Sequence, residues 1–186
     1  WIGSQRLRSV IWSGDVPSTF ESFRKQLMAG LHMSMCGIVL WTTDIGGFYG
    51  GDAADEEFRE LMIRWFQFGV FCPVLRMHGY RRPYDVSGGM DDMSGHCNSG
   101  GGNELWSFGE EAYGIMRDYL SVREQLIPYI KEQLQTARET GTPLMRPLVY
   151  DFPEDEKVYD LGDEYMFGSR ILAAPVMEYG APSRKV

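Results

Sequence analysis

Four charged or titratable side chains that could take part in catalysis or ligand binding follow three short apolar segments of this sequence. Asp15 follows the first segment, Asp44 the second, and Arg76 and His78 the third. If the segments are parallel strands, their carboxyl ends meet at one edge, which is where (β/α)8 barrels assemble active sites. A lone aspartate after a strand is more often a turn or cap residue, so the prediction rests on four side chains converging. The three segments are residues 9–12, 37–41 and 71–75.

Three aromatic residues stand beside these polar groups: Trp12, Trp41 and Phe48. Aromatic faces together with carboxylates and a histidine suit a ligand that has both apolar faces and hydroxyl groups, as sugars have. Two structural alternatives stay open at this point. Trp12 and Trp41 could belong to the core, and His78 could be a structural histidine whose hydrogen bonds are satisfied within the fold.

Each apolar segment is followed by a turn and then by a helical pattern, and repeated βα units predict a parallel sheet. The first helix is expected to begin at a capping box formed by Ser18 and Glu21, and the third at a box formed by Ser107 and Glu110. Gly141 is expected to end the third helix. The buried faces of the first two helices are predicted from residues with helical spacing: Phe20, Phe23, Leu27, Leu31, Phe58, Leu61, Met62 and Trp65.

The pattern changes after Pro143, where short apolar runs alternate with Pro, Asp and Gly turns. These runs predict the beginning of an antiparallel β region, with strands at 148–150, 165–167 and 171–173. We therefore expect two domains, residues 1–141 and 142–186, with an insertion loop at about residues 80–102 in the first.

Several runs of residues resemble, in the same order, the motifs of glycoside hydrolase family 31. WSGD at residues 12–15 resembles the acid/base motif, and DIGGF at residues 44–48 resembles the second barrel signature. GSQR at residues 3–6 and RMHG at residues 76–79 continue the pattern. Further matching runs are RW at 64–65, WSFG at 106–109, PY at 128–129, RP at 146–147 and YMFG at 165–168.

The resemblance implies an α/β fold. The chain would be the C-terminal portion of a (β/α)8 TIM barrel, its last three βα units, followed by the start of an antiparallel β-sandwich. It also implies a retaining, exo-acting α-glycosidase acting on oligosaccharides with a terminal α-linked glucose or xylose, without a metal or organic cofactor.

The same resemblance assigns roles to individual residues. Asp15 matches the general acid/base, which protonates the leaving oxygen and later activates water. Asp44 and His78 match residues that shape the sugar subsite, and Arg76 matches a residue that orients neighbouring carboxylates. The aromatic walls of the subsite correspond to Trp12 and Phe48.

The family's nucleophile lies on an earlier barrel strand, and nothing before Trp12 matches its motif. We therefore expect the chain to be a piece of a longer protein and to be inactive by itself, because a retaining enzyme needs two carboxyl groups. A different hypothesis is a non-catalytic, carbohydrate-binding or structural remnant of a truncated gene.

Composition excludes several other classes. The 18 basic and 26 acidic residues give a formal charge of −8, which disfavours nucleic acid and anionic lipid as partners. No apolar run reaches the length of a membrane span. Three histidines and three cysteines show no metal-ligand spacing, and His96 beside Cys97 in the glycine-rich loop is isolated. Cys36 and Cys72 lie in apolar stretches and are expected to be core thiols, which favours a cytoplasmic location.

Overall fold

A computed structural model describes residues 3–7, 9–83 and 100–186. After a 3-10 turn at Ser4–Leu7, three βα repeats precede a small antiparallel sheet. The elements are β1 Ile11–Trp12, α1 Phe20–Met35, β2 Trp41–Thr42, β3 Tyr49–Asp52, α2 Glu56–Val70, β4 Tyr80–Arg82, α3 Glu110–Thr140, β5 Met145–Pro147, α4 Leu148–Asp151, β6 Tyr165–Phe167 and β7 Ile171–Ala173.

Helix α1 begins at Thr19, whose side chain accepts a hydrogen bond from the backbone N–H of Ser22 at 3.1 Å. The predicted cap at Ser18 is therefore wrong by one residue. Ser18 instead donates its backbone N–H to the carbonyl of Tyr49 at 2.8 Å, across to β3. The predicted inner faces of α1 and α2 are confirmed, since all eight apolar residues named for them are buried.

The barrel strands are short and parallel. Ile11 pairs with Trp41 and Trp12 with Thr42 between β1 and β2, while β3 pairs with β4. The predicted second strand at 37–41 is regular only at its end. The backbone N–H groups of Gly37 and Ile38 close the C-terminus of α1 instead, so they are not available to a sheet.

The predicted third strand at 71–75 does not form a regular strand. Pro73 has no N–H to donate to a sheet. The segment still lies beside β2, because the hydroxyl of Thr42 donates to the carbonyl of Val74 at 3.1 Å and the N–H of Ile45 donates to the carbonyl of Arg76 at 3.3 Å. The polar end of this segment is thus held next to the end of β2.

Helix α3 begins after Gly109, without a side-chain cap. The predicted box of Ser107 with Glu110 is wrong, because the Ser107 hydroxyl donates to Glu104 at 2.9 Å, and Glu104 directly precedes the 3-10 turn Leu105–Phe108. The predicted end is confirmed: Gly141 adopts a left-handed conformation (φ +80°), and its N–H bonds the carbonyl of Ala137.

The C-terminal sheet has the order β5-β6-β7 and is antiparallel. The strands predicted at 165–167 and 171–173 are confirmed, but 148–150 belongs to the short helix α4 and the strand lies three residues earlier. Pro147, with its fixed φ, precedes that helix, and Arg146 bonds both carboxylate oxygens of Asp151 at 2.7 and 3.0 Å. This ion pair folds the chain back directly after β5.

Aromatic packing joins the barrel segment to the C-terminal sheet. Phe23 of α1 stacks on Trp65 of α2 at 5.0 Å between ring centroids, and Phe68 contacts Tyr165 of β6 edge-on at 6.0 Å. The Tyr165 hydroxyl donates to the carbonyl of Phe71 at 2.8 Å. One core therefore supports both parts, and it fixes the base on which the loops at the strand ends are built.

Cys72 belongs to this core, where burial raises the pKa of its thiol. Cys36 is exposed, so its expected burial is wrong; it caps the end of α1 rather than continuing the apolar face. Across the three described ranges, none of the helices combines the length and the apolar character needed to span a bilayer.

Candidate active site at the strand ends

Three loops meet where the parallel strands end: loop 1 (residues 13–19), loop 2 (residues 43–48) and loop 3 (residues 76–79). The N–H of Phe48 donates to the carbonyl of Val16 at 2.7 Å, which joins loop 2 to loop 1. The N–H of Tyr80 donates to the carbonyl of Phe48 at 2.6 Å, which joins the residue after loop 3 to loop 2. The three loops therefore form one continuous rim.

Gly47 allows the close approach of loops 1 and 2. Its φ is +75°, and a Cβ at this position would lie 2.7 Å from the carbonyl oxygen of Pro17 and 2.8 Å from the Cα of Ser18. Both of these are backbone atoms, which cannot rotate away. Packing between the two loops thus explains why the second glycine of the DIGGF run, Gly47, is a glycine.

Asp44 is the most deeply buried ionisable group of the rim, with 0% of its surface exposed. Burial raises the pKa of its carboxyl group, opposed by the charge of Arg76, then by His78 and a hydrogen bond from the Trp12 side chain, while the charge of Asp15 raises it further. Arg76, His78, Asp15 and Trp12 thus all act on the Asp44 carboxyl group.

The Arg76 side chain, 35% exposed, forms an ion pair with Asp44. Its guanidinium carbon also lies 5.7 Å from the ring centroid of Trp12. Arg76 therefore links the ends of three βα units, since Trp12 ends β1 and Asp44 follows β2.

Asp15 and His78 face solvent from the same rim. Asp15 follows Gly14, whose φ of +93° turns the chain sharply out of β1. His78 packs against Phe48, with 5.4 Å between the ring centroids. An accessible carboxyl, an accessible imidazole and a half-buried aromatic ring are thus available to a ligand above the rim.

The two tryptophans, Trp12 and Trp41, differ in exposure. Trp12 is 45% exposed at the rim, whereas Trp41 is 1% exposed and packs on α1, where a Cβ at Gly30 would lie 2.9 Å from the Trp41 ring. Trp41 is therefore a core residue, and it is not available as a wall of a sugar site.

Sequence reasoning missed Arg81, which is fully buried and donates hydrogen bonds to both loop 1 and loop 2. It lies within residues 80–102, which were predicted to be an insertion loop. The structure instead forms strand β4 at Tyr80–Arg82, and residues 84–99 lie outside the described part of the chain. A signal in the sequence is the pair of glycines, Gly46 and Gly79, that flank the guanidinium in space.

Among the residues that the structure describes, no group of three or more His, Cys, Asp or Glu side chains could hold a metal ion. His32 lies exposed in the last turn of α1, away from the loops. His96 and Cys97 lie outside the described residues.

Two family models match the chain. Residues 1–133 match the glycosyl hydrolases family 31 TIM-barrel domain, and residues 141–186 match the family 31 C-terminal domain. The chain belongs to glycoside hydrolase family 31. It is an α/β segment of the family's TIM barrel followed by the start of the C-terminal β domain, as the sequence predicted.

Relatives of known activity cover nearly all of the chain. An α-xylosidase of Saccharolobus solfataricus is 38% identical over 174 residues, which is 94% of this chain and 21% of the relative. Alpha-glucosidase 2 of Bacillus thermoamyloliquefaciens is 34% identical over 178 residues, 94% of this chain and 19% of the relative.

A solved structure extends the likeness to three dimensions. The crystal structure of a family 31 α-xylosidase from a soil metagenome, complexed with xylose, is 52% identical, with a TM-score of 0.93 over 99% of this chain and 27% of that chain. The chain thus spans about a fifth to a quarter of the length of these relatives.

Proposed function

We propose that this chain supplies the acid/base half of the active site of a retaining, exo-acting α-glycoside hydrolase. The enzyme releases a terminal α-linked xylose or glucose from an oligosaccharide through a glycosyl-enzyme intermediate. The observation that carries the proposal is the convergence of Asp15, Asp44, Arg76 and His78 around one rim, with Trp12 beside them.

Asp15 acts as the general acid and then as the general base. In the first step it donates its proton to the glycosidic oxygen while a second carboxylate attacks the anomeric carbon. In the second step the ionised Asp15 takes a proton from water, which breaks the bond between the sugar and the enzyme. Its exposed position after Gly14 supports this role, because the group must reach both the leaving oxygen and water.

The sugar ring packs against aromatic surface from Trp12 and Phe48 and bonds its hydroxyls to His78. Trp12 is exposed at the rim, and Phe48 and His78 contact each other. Asp44 and Arg76 hold the floor of this subsite, since the buried carboxylate of Asp44 forms an ion pair with Arg76.

The nucleophile of this enzyme lies outside the 186 residues, and the chain is inactive by itself. Asp44 is a poor candidate for that role. Its carboxylate is wholly buried and engaged by Arg76, whereas a nucleophile must approach the anomeric carbon directly. We expect the nucleophile on an earlier strand of the barrel, as the resemblance to family 31 implies.

The released sugar is xylose or glucose, since α-xylosidases and an α-glucosidase are both among the relatives. The choice between the two sugars depends on whether the pocket has room for a hydroxymethyl group.

Product analysis tests the proposal. The full-length enzyme that contains this chain is given aryl α-xyloside and aryl α-glucoside, and the first anomer released is followed by proton NMR. We expect the α anomer of the released sugar to appear before the β anomer. Release of the β anomer first would contradict a retaining mechanism, and sugar binding without turnover would favour a non-catalytic remnant.

A further inference from the structure

Arg81 carries a buried guanidinium at the centre of the three loops. It is 0% exposed, and its guanidinium lies 5.1 Å from the ring centroid of Phe58. A buried charge is costly unless its donors are satisfied. The hydrogen bonds that Arg81 makes therefore decide where it can lie.

Those hydrogen bonds reach loops 1 and 2 and the residues that follow the insertion. Nη1 donates to the hydroxyl of Ser18 at 3.2 Å and to the carbonyl of Gly47 at 2.8 Å. Nη2 donates to the carbonyl of Ile45 at 2.9 Å, and Nε donates to the side-chain oxygen of Asn103 at 2.7 Å. A planar guanidinium fixes the directions of its donors, so it also fixes the relative positions of these acceptors.

The acceptors are close in sequence to the groups that face the sugar. Ser18 lies three residues after Asp15, and Ile45 directly follows Asp44. Arg81 itself lies three residues after His78. One side chain thus connects the three segments that carry the reacting and binding groups.

Two glycines leave the space that the guanidinium occupies. A Cβ at Gly79 would lie 2.5 Å from the Arg81 Cζ, and a Cβ at Gly46 would lie 3.2 Å from its Nη2. The backbone at Gly79 has no positive φ. An alanine there therefore conflicts with Arg81 rather than with its own conformation.

We propose that Arg81 is a positioning residue of the glycosidase active site, setting the placement of Asp15 relative to Asp44 and His78. The inference rests on the proposed function and adds a residue to which that function assigns no role. A displacement of about 1 Å in such a constellation can lower the rate of the chemical step by roughly 100-fold. The effect should therefore fall on kcat more than on KM.

Arg123 offers a matched control. Its guanidinium also binds backbone carbonyls, those of Val70 at 2.6 Å, Cys72 at 2.7 Å and Pro73 at 3.1 Å. Val70 ends α2, and Cys72 and Pro73 lie at the N-terminal end of the third βα segment, whereas loop 3 follows its C-terminal end. Arg123→Lys should lower the Tm while leaving kcat per folded active site unchanged.

The test compares Arg81→Lys with Arg123→Lys in the full-length enzyme, using aryl glycosides with good and poor leaving groups. We expect Arg81→Lys to lower kcat by about 10- to 100-fold with KM changed by less than about threefold. The loss should be larger for poor leaving groups, which depend on a well-placed acid. The proposal would be overturned if log kcat of Arg81→Lys depended on leaving-group pKa with the same slope as that of the Arg123→Lys control, even if the Tm of Arg81→Lys falls.

A second comparison uses Gly79→Ala. As a single substitution it should lower kcat, but when it is added to Arg81→Lys the further loss of kcat should be much smaller. Additive losses would contradict the proposed contact. The activity of the wild-type enzyme distinguishes failure of the proposed function from failure of the role of Arg81. If it turns over neither glycoside, the proposed function fails and the role of Arg81 fails with it; if it is active and Arg81→Lys behaves as the control, only the role of Arg81 fails.

Discussion

Arg76 from the end of the third βα segment bonds the buried carboxylate of Asp44 from the end of the second. The pair joins two strand ends that are 32 residues apart in the chain. It also supplies the charge that most strongly opposes the effect of burial on the pKa of Asp44. Substituting either partner should therefore change how the site responds to pH.

Asp44→Asn should alter the pH dependence of stability in a defined direction. The pKa of Asp44 is raised in the folded protein, so the folded state holds its proton more tightly than the unfolded state does. The stability gained in this way is fully present below the unfolded pKa and is lost as the pH rises through the folded pKa. From about pH 4 towards neutrality, the Tm of the wild type should fall relative to that of Asp44→Asn.

Thermal unfolding of the two full-length proteins across this pH range checks the prediction. Asp55→Asn serves as the control, because Asp55 caps α2 and asparagine caps a helix equally well. A constant Tm difference between wild type and Asp44→Asn would show that Asp44 does not titrate with a raised pKa.

Gly47→Ala should separate loop 1 from loop 2. It places an L side chain at φ +75°, which costs about 1–2 kcal/mol, and it also clashes with backbone atoms of Pro17 and Ser18. Gly50→Ala is the matched control, since Gly50 has φ +92° and nothing within 4 Å of an added Cβ. We expect Gly47→Ala to lower the Tm more than Gly50→Ala does, and we expect a loss of kcat/KM only for Gly47→Ala. Equal effects of the two substitutions would argue that the loop contact has no functional importance.

His78→Ala should weaken sugar binding, because His78 faces solvent beside Phe48 on the rim. Loss of hydrogen bonds to hydroxyls is expected to raise KM by about tenfold, with a smaller change in kcat. His32→Ala, at the exposed end of α1, should change neither constant. Initial rates over a range of aryl α-xyloside concentrations decide this, and an unchanged KM for His78→Ala would remove His78 from the sugar site.

The parts of the fold that local patterns determine were predictable from sequence. Helical spacing located the inner faces of α1 and α2, and the glycine at position 141 located the end of α3. Strand extents were not predictable, because Gly37 and Ile38 use their N–H groups to close α1. The helix at 148–150 depends on the ion pair of Arg146 with Asp151, which an apolar run does not reveal.

The residues of the site also fall into those that the sequence predicted and one that it did not. The rim positions of Asp15, Asp44, Arg76 and His78 follow from their places after the strands. Arg81 was missed because a charged residue in a polar stretch is normally exposed. Its burial depends on acceptors from loops that are distant in sequence.

The most direct test of the central claim is the leaving-group dependence of Asp15→Asn in the full-length enzyme, with Asp55→Asn as control. If Asp15 is the general acid, kcat/KM for substrates with poor leaving groups should fall by about 10²- to 10⁴-fold, and much less for activated aryl glycosides. Asp55→Asn should leave both unchanged. A loss that is uniform across leaving groups, or no loss at all, would contradict the assignment of Asp15 as the acid/base.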